Sequence, residues 1–347
     1  MNITMQQIAD MAGVTRATVD KIVHNRPGVR ASTKERVQKI ISEYNYIPPN
    51  HRSLKQKGSF ARLAIITLPP THDYYMEELK AGMDFQLNLY HDIQLQADYY
   101  FCDTSDPQSL PSIISYLETQ EIDALAIRGM DYPEVNAYID SLVLKGIPVI
   151  TFDSDLPTTD RLCFVGEDLR GTGQVAASLM AEIVGGSGKV AIIGSSMNIN
   201  STFERIAGFT AYMQDEHPNI QLLDVIETLD QHTITYSKVY DLIKEHPDLK
   251  GIWNSVSCNE DMLQAVIDSE KSQDIKLISL TFSPTIISLI KQNLIKFTLG
   301  LTPRKLGKIV IQTLYEYLFL GQIPKSKHIQ TPIYIASKAN IDTYHST

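Results

Sequence analysis

The side chains of this sequence whose types and spacing could do chemistry are suited to gripping rather than reacting. Arg16, Ala17, Asp20 and Lys21 lie on the leading turns of a short amphipathic stretch. There an arginine can fork onto a guanine edge, an alanine can meet a thymine methyl, and a carboxylate can accept from cytosine. For Arg16 and Lys21, plain phosphate contact is an equal reading. A second set follows apolar runs: Asp73, Tyr74 and Tyr75 after the first, Arg128 after Ala124–Ile127, Asp153 after Val149–Phe152, and Asn254 after Gly251–Trp253. Carboxylates and guanidinium forks in such places hold hydroxyls or anions, and aromatic faces stack on ligand rings. Asp153 as a turn cap and Trp253 as plain core stay open beside these readings.

Catalytic sets are missing. Cys102, Cys163 and Cys258 are far apart, and the nine histidines are scattered without metal-ligand spacing. Gly171-Thr172-Gly173-Gln174-Val175-Ala176 fits a dinucleotide-binding pattern. However, no acidic residue closes a second strand about 20 residues later, as that pattern requires. A turn leading into a helix explains the run better. Gly188-Lys189 has neither the earlier glycine nor the following hydroxyl of a phosphate loop. The expectation is no enzyme and no cofactor.

The elements that must position the first set are short helices. Thr4-Met5-Gln6-Gln7 has capping-box spacing, and Ile8, Met11 and Ala12 share one face. Gly13 suits a tight turn, and Thr15 caps a second helix that turns Val19, Ile22 and Val23 inward. Ser32-Thr33-Lys34-Glu35, another capping-box spacing with Ser32 as the cap, opens a third, with Val37, Ile40, Ile41 and Tyr44 on its apolar face. Three such helices make a helix-turn-helix, whose second helix enters the major groove. Charge agrees with this reading: of the net −9, residues 1–60 carry +6 and the remainder −15. A basic head on an acidic body confines nucleic-acid contact to one end.

From Arg62 onward, apolar runs alternate with amphipathic stretches, as in βαβ units with parallel sheets. Some ten strands, Leu222–Glu227 among them, suit two doubly wound lobes. The break is expected near Asp153–Asp160, with the last strands crossing back. Ligands of such folds bind outside the carboxyl ends of the strands, here the cleft between lobes. The domains are then a helix-turn-helix over 1–47, a hinge over 48–60 and a two-lobed body over 61–347. No run reaches the roughly 18 apolar residues of a membrane span. The N-terminus lacks a secretory pattern, and the cysteines suit a reducing cytoplasm.

The run Ile8-Ala9-Asp10-Met11-Ala12-Gly13-Val14-Thr15-Arg16-Ala17-Thr18-Val19 resembles the opening of the lactose-repressor (LacI/GalR) family. Val29-Arg30-Ala31-Ser32-Thr33-Lys34-Glu35-Arg36-Val37 and Tyr44-Asn45-Tyr46-Ile47-Pro48 continue the match. The resemblance places Arg16 and Ala17 at the base-reading pair, and Thr15, Thr18 and Asn25 at phosphate-contacting positions. The family's Ser-Arg pair is Asp20-Lys21 here, which points to a different operator. It also implies a hinge that inserts a leucine into the minor groove, for which Leu54 is the candidate. A linker leucine packed on the body is the competing reading.

Phe152-Asp153-Ser154-Asp155, Val165-Gly166-Glu167-Asp168 and Arg205-Ile206-Ala207-Gly208-Phe209 extend the resemblance to a periplasmic-sugar-binding-protein-like sensor. That implies ligand contacts at Asp153 and Arg205, with an ion pair at Arg205 as the competing reading. Thr281 stands where sugar-binding relatives have an aspartate, and Leu301 where they have a glutamine. The implied protein is a dimeric repressor of operator DNA, controlled by a sugar or sugar derivative that either releases or recruits it. The competing readings are a solute-binding protein without DNA binding and a sugar-modifying enzyme.

Overall fold

The structure is a computed structural model that describes residues 4–23, 28–43, 60–70, 74–90, 95–103, 106, 108–255, 259–300 and 302–344. Asn25, Leu54, Asp73 and Leu301 lie outside the described residues.

The head holds α1 (Met5–Ala12), α2 (Arg16–Val23) and α3 (Ala31–Glu43). The capping box of α1 closes in both directions: the Gln7 amide donates to Thr4 Oγ1 at 3.2 Å, and the Thr4 amide donates to Gln7 Oε1 at 2.8 Å. Gly13 ends α1 with φ of 61°, the left-handed turn that glycine adopts without strain. Thr15 Oγ1 caps α2 by accepting from the Thr18 amide at 3.2 Å. Helix α3 begins at Ala31, with the Arg30 carbonyl accepting from Thr33 and Lys34. Ser32 is therefore inside the first turn and is not the cap its spacing suggested. Ile8, Ala9, Ala12, Val19, Ile22 and Val37 close the small core.

The body opens with β1 (Ala61–Thr67), α4 (Tyr74–Leu89), β2 (Leu95–Phe101), α5 (Ser109–Leu117), β3 (Ala124–Arg128), α6 (Pro133–Leu144), β4 (Val149–Phe152) and β5 (Cys163–Glu167). The second lobe takes α7 (Leu169–Val184), β6 (Gly188–Gly194), α8 (Asn200–Glu216), β7 (Ile220–Leu222), β8 (Ile226–Glu227), α9 (His232–Glu245) and β9 (Leu249–Asn254). It continues through α10 (Asn259–Asp268), β10 (Lys276–Leu280), α11 (Pro284–Lys291) and β11 (Phe297–Gly300). Helix α12 (Pro303–Tyr315) and β12 (His328–Thr331) return to lobe 1, and β13 (Tyr334–Ala336) ends in lobe 2. The sheet of lobe 1 runs β12-β5-β4-β3-β1-β2, all parallel. That of lobe 2 runs β13-β11-β10-β9-β6-β7, with β8 also on β6 and β13 antiparallel. Helices cover both faces, so central strands such as β4 are buried throughout and read as unbroken apolar runs.

Two expectations about the body change. The stretch Asp153–Asp160 does not cross between lobes: β5 pairs with β4 and β12, so the first crossing follows Glu167. A buried ion pair between Asp155 and Arg161, joined by the Thr151 hydroxyl at 2.6 Å from Asp155, ties that polar loop back into lobe 1. The run Leu222–Glu227 is not one strand: β7 ends at Leu222 and β8 begins at Ile226, and the two bond to β6 at different heights.

Candidate functional site

Strand β4 delivers Asp153 to the carboxyl end of the first sheet, where its backbone turns left-handed with φ of 61°. Both carboxylate oxygens are engaged there. The Tyr75 hydroxyl, from the first turn of α4, donates to Oδ1 at 2.8 Å, and Arg128 Nε, from the end of β3, donates to Oδ2 at 2.6 Å. Arg205 reaches the same place from α8 of the other lobe, and its Nε donates to Glu167 Oε1 at 2.6 Å. Glu167, the last residue of β5, has a side chain only 1% exposed. One donor and one acceptor in this network, Arg128 Nη1 and Glu167 Oε2, are buried without a hydrogen-bond partner among the described residues. Orphaned polar atoms of this kind are rare in folded proteins and mark places where a ligand or water is received.

Charge organises the network. Burial pushes the Asp153 carboxyl up, but the charges of Arg128 and then Arg205, with the hydrogen bonds from Tyr75 and Arg128, hold it below the ordinary aspartate range. Burial followed by the charge of Asp153 drives the Tyr75 phenol well above its usual value. Both arginines are desolvated, which disfavours their charge, yet Asp153 beside Arg128 and Glu167 beside Arg205 raise them further. Asp230 adds to the field on Arg128 from lobe 2. It sits after β8 with φ of 55° and accepts from the Ser195 hydroxyl at 2.6 Å.

A pH dependence follows from Asp153. Its folded-state pKa is depressed, so its stabilising contribution is complete above the unfolded value of about 3.9 and disappears as pH falls through the lower folded value. Stability of the body should hold level for this group between about pH 5 and 8 and decline only in acid. Asp153→Asn should flatten part of that acid decline, measured by urea unfolding at successive pH values. An identical acid limb in both chains would mean the carboxylate gains nothing from its arginine neighbours.

Of the expected cleft residues, the structure joins Tyr75, Arg128, Asp153 and Arg205 into one cluster. Asn254 and Thr281 lie at the matching ends of β9 and β10 in lobe 2. Thr281 has φ of 80°, held by its amide on the Leu299 carbonyl at 2.7 Å and by the Thr298 hydroxyl on its own carbonyl. A β-branched residue in that region is strained, and such strain gathers at ligand-binding positions. Tyr74 stays at the surface beside Glu78 and Arg304. Trp253 is wholly buried, stacked on Phe209 at 4.7 Å, and offers no plane to a ligand. Glu167, Ser195 and Asp230 were not singled out in the sequence. In the head, Thr15, Arg16 and Ala17 are exposed at the start of α2 and Lys21 in its last turn, with Thr18 and Asp20 half-buried, and Thr15 Oγ1 lies 2.9 Å from Thr18 Oγ1. Two open cavities, of about 290 Å³ beside Tyr100 and Tyr116 and about 530 Å³ along β7, β8 and α9, share no residue with the cluster. No helix among the described residues is long and apolar enough to cross a membrane.

Residues 63–322 match the periplasmic binding protein domain family, and residues 4–49 match the bacterial regulatory proteins of the lacI family. The HTH-type transcriptional regulator DegA of Bacillus subtilis is 22% identical over 66% of each chain. A sucrose operon repressor of Lactococcus lactis is 23% identical over 79% of this chain and 80% of its own. Alignments to several regulators cover less than two thirds of those relatives, 34% for IdnR of Escherichia coli among them. In structure, a solute-binding protein of Burkholderia graminis in complex with D-arabinose superposes with a TM-score of 0.75, covering 83% of this chain and 98% of its own at 22% identity. That likeness shows the fold of the body. With more than half its length in the periplasmic binding protein domain family and a lacI-family head joined to it, the chain belongs to the LacI-type DNA-binding transcription regulators and is not an enzyme.

Proposed function

We propose that this protein is a repressor that acts in the cytoplasm as a homodimer and is controlled by a sugar or sugar derivative bound between its lobes. The observation that carries this reading is the pairing of an exposed face of α2 with a buried polar network at the strand ends of lobe 1, which Arg205 joins from α8 of lobe 2. Ligand hydroxyls can accept from Arg128 Nη1 and donate to Glu167 Oε2, two atoms of this network that lack partners among the described residues. Asp153 and Arg205 then orient the ligand, with Tyr75, Asn254 and Thr281 around it. The sucrose repressor and the D-arabinose-binding protein among its relatives support a sugar-like effector. The effector must favour one of the DNA-competent and incompetent states, since a ligand binding both equally switches nothing.

On DNA, Arg16 and Ala17 face base edges, Asp20 and Lys21 follow one turn on, and Thr15 and Thr18 face phosphate. Two heads of a dimer engage the halves of a pseudo-palindrome. The test is titration of the full-length protein against fragments of its own promoter region at several salt concentrations. Affinity should fall steeply with salt. Arg16→Ala should relax preference at one operator position, by about 1–3 kcal/mol of discrimination. A uniform loss across all sequences would reassign Arg16 to phosphate, and salt-insensitive or undetectable binding would end the repressor reading.

A further inference from the structure

We propose that Ser154 is a positioning residue: from lobe 1 it caps helix α8 of lobe 2 and so fixes the place of Arg205 across the cleft. The proposal rests on the reading of Arg205 as an effector contact. It starts from a helix end that its own sequence leaves incomplete. The N-cap of α8 is Ile199, in extended conformation with φ of −91° and ψ of 118°, and its side chain has no oxygen to offer the first-turn amides. Cap bonds normally run from the N-cap side chain to the second or third helical amide. Here the second amide, that of Ser201, donates instead to Ser154 Oγ at 3.2 Å, from the other lobe.

Ser154 is held in place to do this. It is fully buried, its carbonyl accepts from the Gly129 amide at 2.8 Å, and its amide donates to the Phe152 carbonyl at 2.6 Å. A Cβ on Gly129 would come within 2.4 Å of that carbonyl, so the loop after β3 closes tightly over it. Ser201 and Arg205 stand four residues apart, on one face of α8. The capped amide and the Arg205–Glu167 pair are therefore about one helical turn apart in α8, and both bonds run to lobe 1. Separating the lobes at this edge leaves a buried helix end uncapped. The tie thus biases the lobes towards the arrangement in which Arg205 meets Glu167 and Asp153.

The experiment uses the ligand-free full chain, so a failed search for an effector leaves it intact. Spin labels on cysteines introduced at the exposed Lys145 and Glu245, with Cys258 replaced by serine, report the separation of the lobes by electron-electron resonance. Ser154→Ala should raise the population at longer distance roughly fivefold, the equivalent of one lost cap. Adding Ile199→Ser supplies a cap from within α8. In the double variant, thermal stability should recover while the long-distance population stays high. Unchanged distances in Ser154→Ala would overturn the proposal, and so would recovery of both stability and distance in the double variant, because either makes Ser154 an ordinary helix cap. If Ser154→Ala alone is too unstable to measure, the double variant carries the same readout.

Discussion

Replacing Glu167 with alanine is expected to destabilise the body by about 3–5 kcal/mol, the range for stripping the partner from a buried ion. The Arg205 side chain is only 10% exposed and gives both Nε and Nη2 to Glu167 Oε1. Without that carboxylate, its nearest opposite charge is Asp153, already bound to Arg128 and Tyr75. Asp153 would be asked to balance two guanidinium groups. Glu167→Gln is a milder change, because an amide oxygen can still accept from Arg205 Nε while the charge is lost. Its destabilisation should fall clearly between wild type and alanine. Trp253 is the chain's single tryptophan and is buried in lobe 2, so its fluorescence during urea unfolding reports the lobe that carries Arg205. A shift in midpoint worth less than about 1 kcal/mol for Glu167→Ala would be typical of an exposed pair and would mean water already reaches the guanidinium. It would remove the buried network on which the effector reading rests.

Glu167 also marks where sequence reasoning stopped. Its strand was legible as a short apolar run, and the motif around it was visible, but its partner is 38 residues away on another lobe. Ion pairs of that range leave no periodic trace. Asp153 and Arg128 were easier to find because each directly follows an apolar strand, and strand ends in parallel sheets point at the ligand side. Arg205, inside a helix, stood out only through the family resemblance. The lobe boundary was misplaced for a related reason. Asp153–Asp160 is polar enough to read as a crossing, and only the Asp155–Arg161 pair, buried in three dimensions, holds it in lobe 1. Five residues of β5 fit either sheet until β12 arrives from the far end of the chain to lie beside them. Thr281 shows the opposite failure: a β-branched residue argues against left-handed backbone, so no local rule could have placed one there.

The glycines of Gly171-Thr172-Gly173 acquire a reason that leads to the second large effect. Gly171 lies against the carboxylate of Asp168, which caps α7 by accepting from the Gly171 amide at 2.9 Å. Gly173 faces α8: a Cβ there would stand 1.9 Å from the Arg205 carbonyl oxygen and 2.7 Å from the Phe209 amide nitrogen. Gly208 answers from α8, where a Cβ would meet the Arg170 carbonyl oxygen at 2.1 Å. Lobe 1 repeats the device, with Gly82 of α4 against the Arg304 carbonyl at 2.0 Å and Gly307 of α12 against that of Leu79 at 2.2 Å. Gly173→Ala therefore sets two effects against each other. Alanine favours a helix interior by up to about 1 kcal/mol. The added methyl, however, overlaps backbone atoms that no rotamer change can move, and overpacking of this kind typically costs about 1–3 kcal/mol, occasionally more. Sterics should win, and the relief must come from α8 sliding away and taking Arg205 off Glu167. The net destabilisation should exceed that of Gly185→Ala, where φ is 77° but no atom lies within 4 Å of the new Cβ. The two variants, unfolded in urea side by side, separate close packing from backbone conformation. If Gly185→Ala proves the more damaging, the tight seat between α7 and α8 does not govern where Arg205 sits.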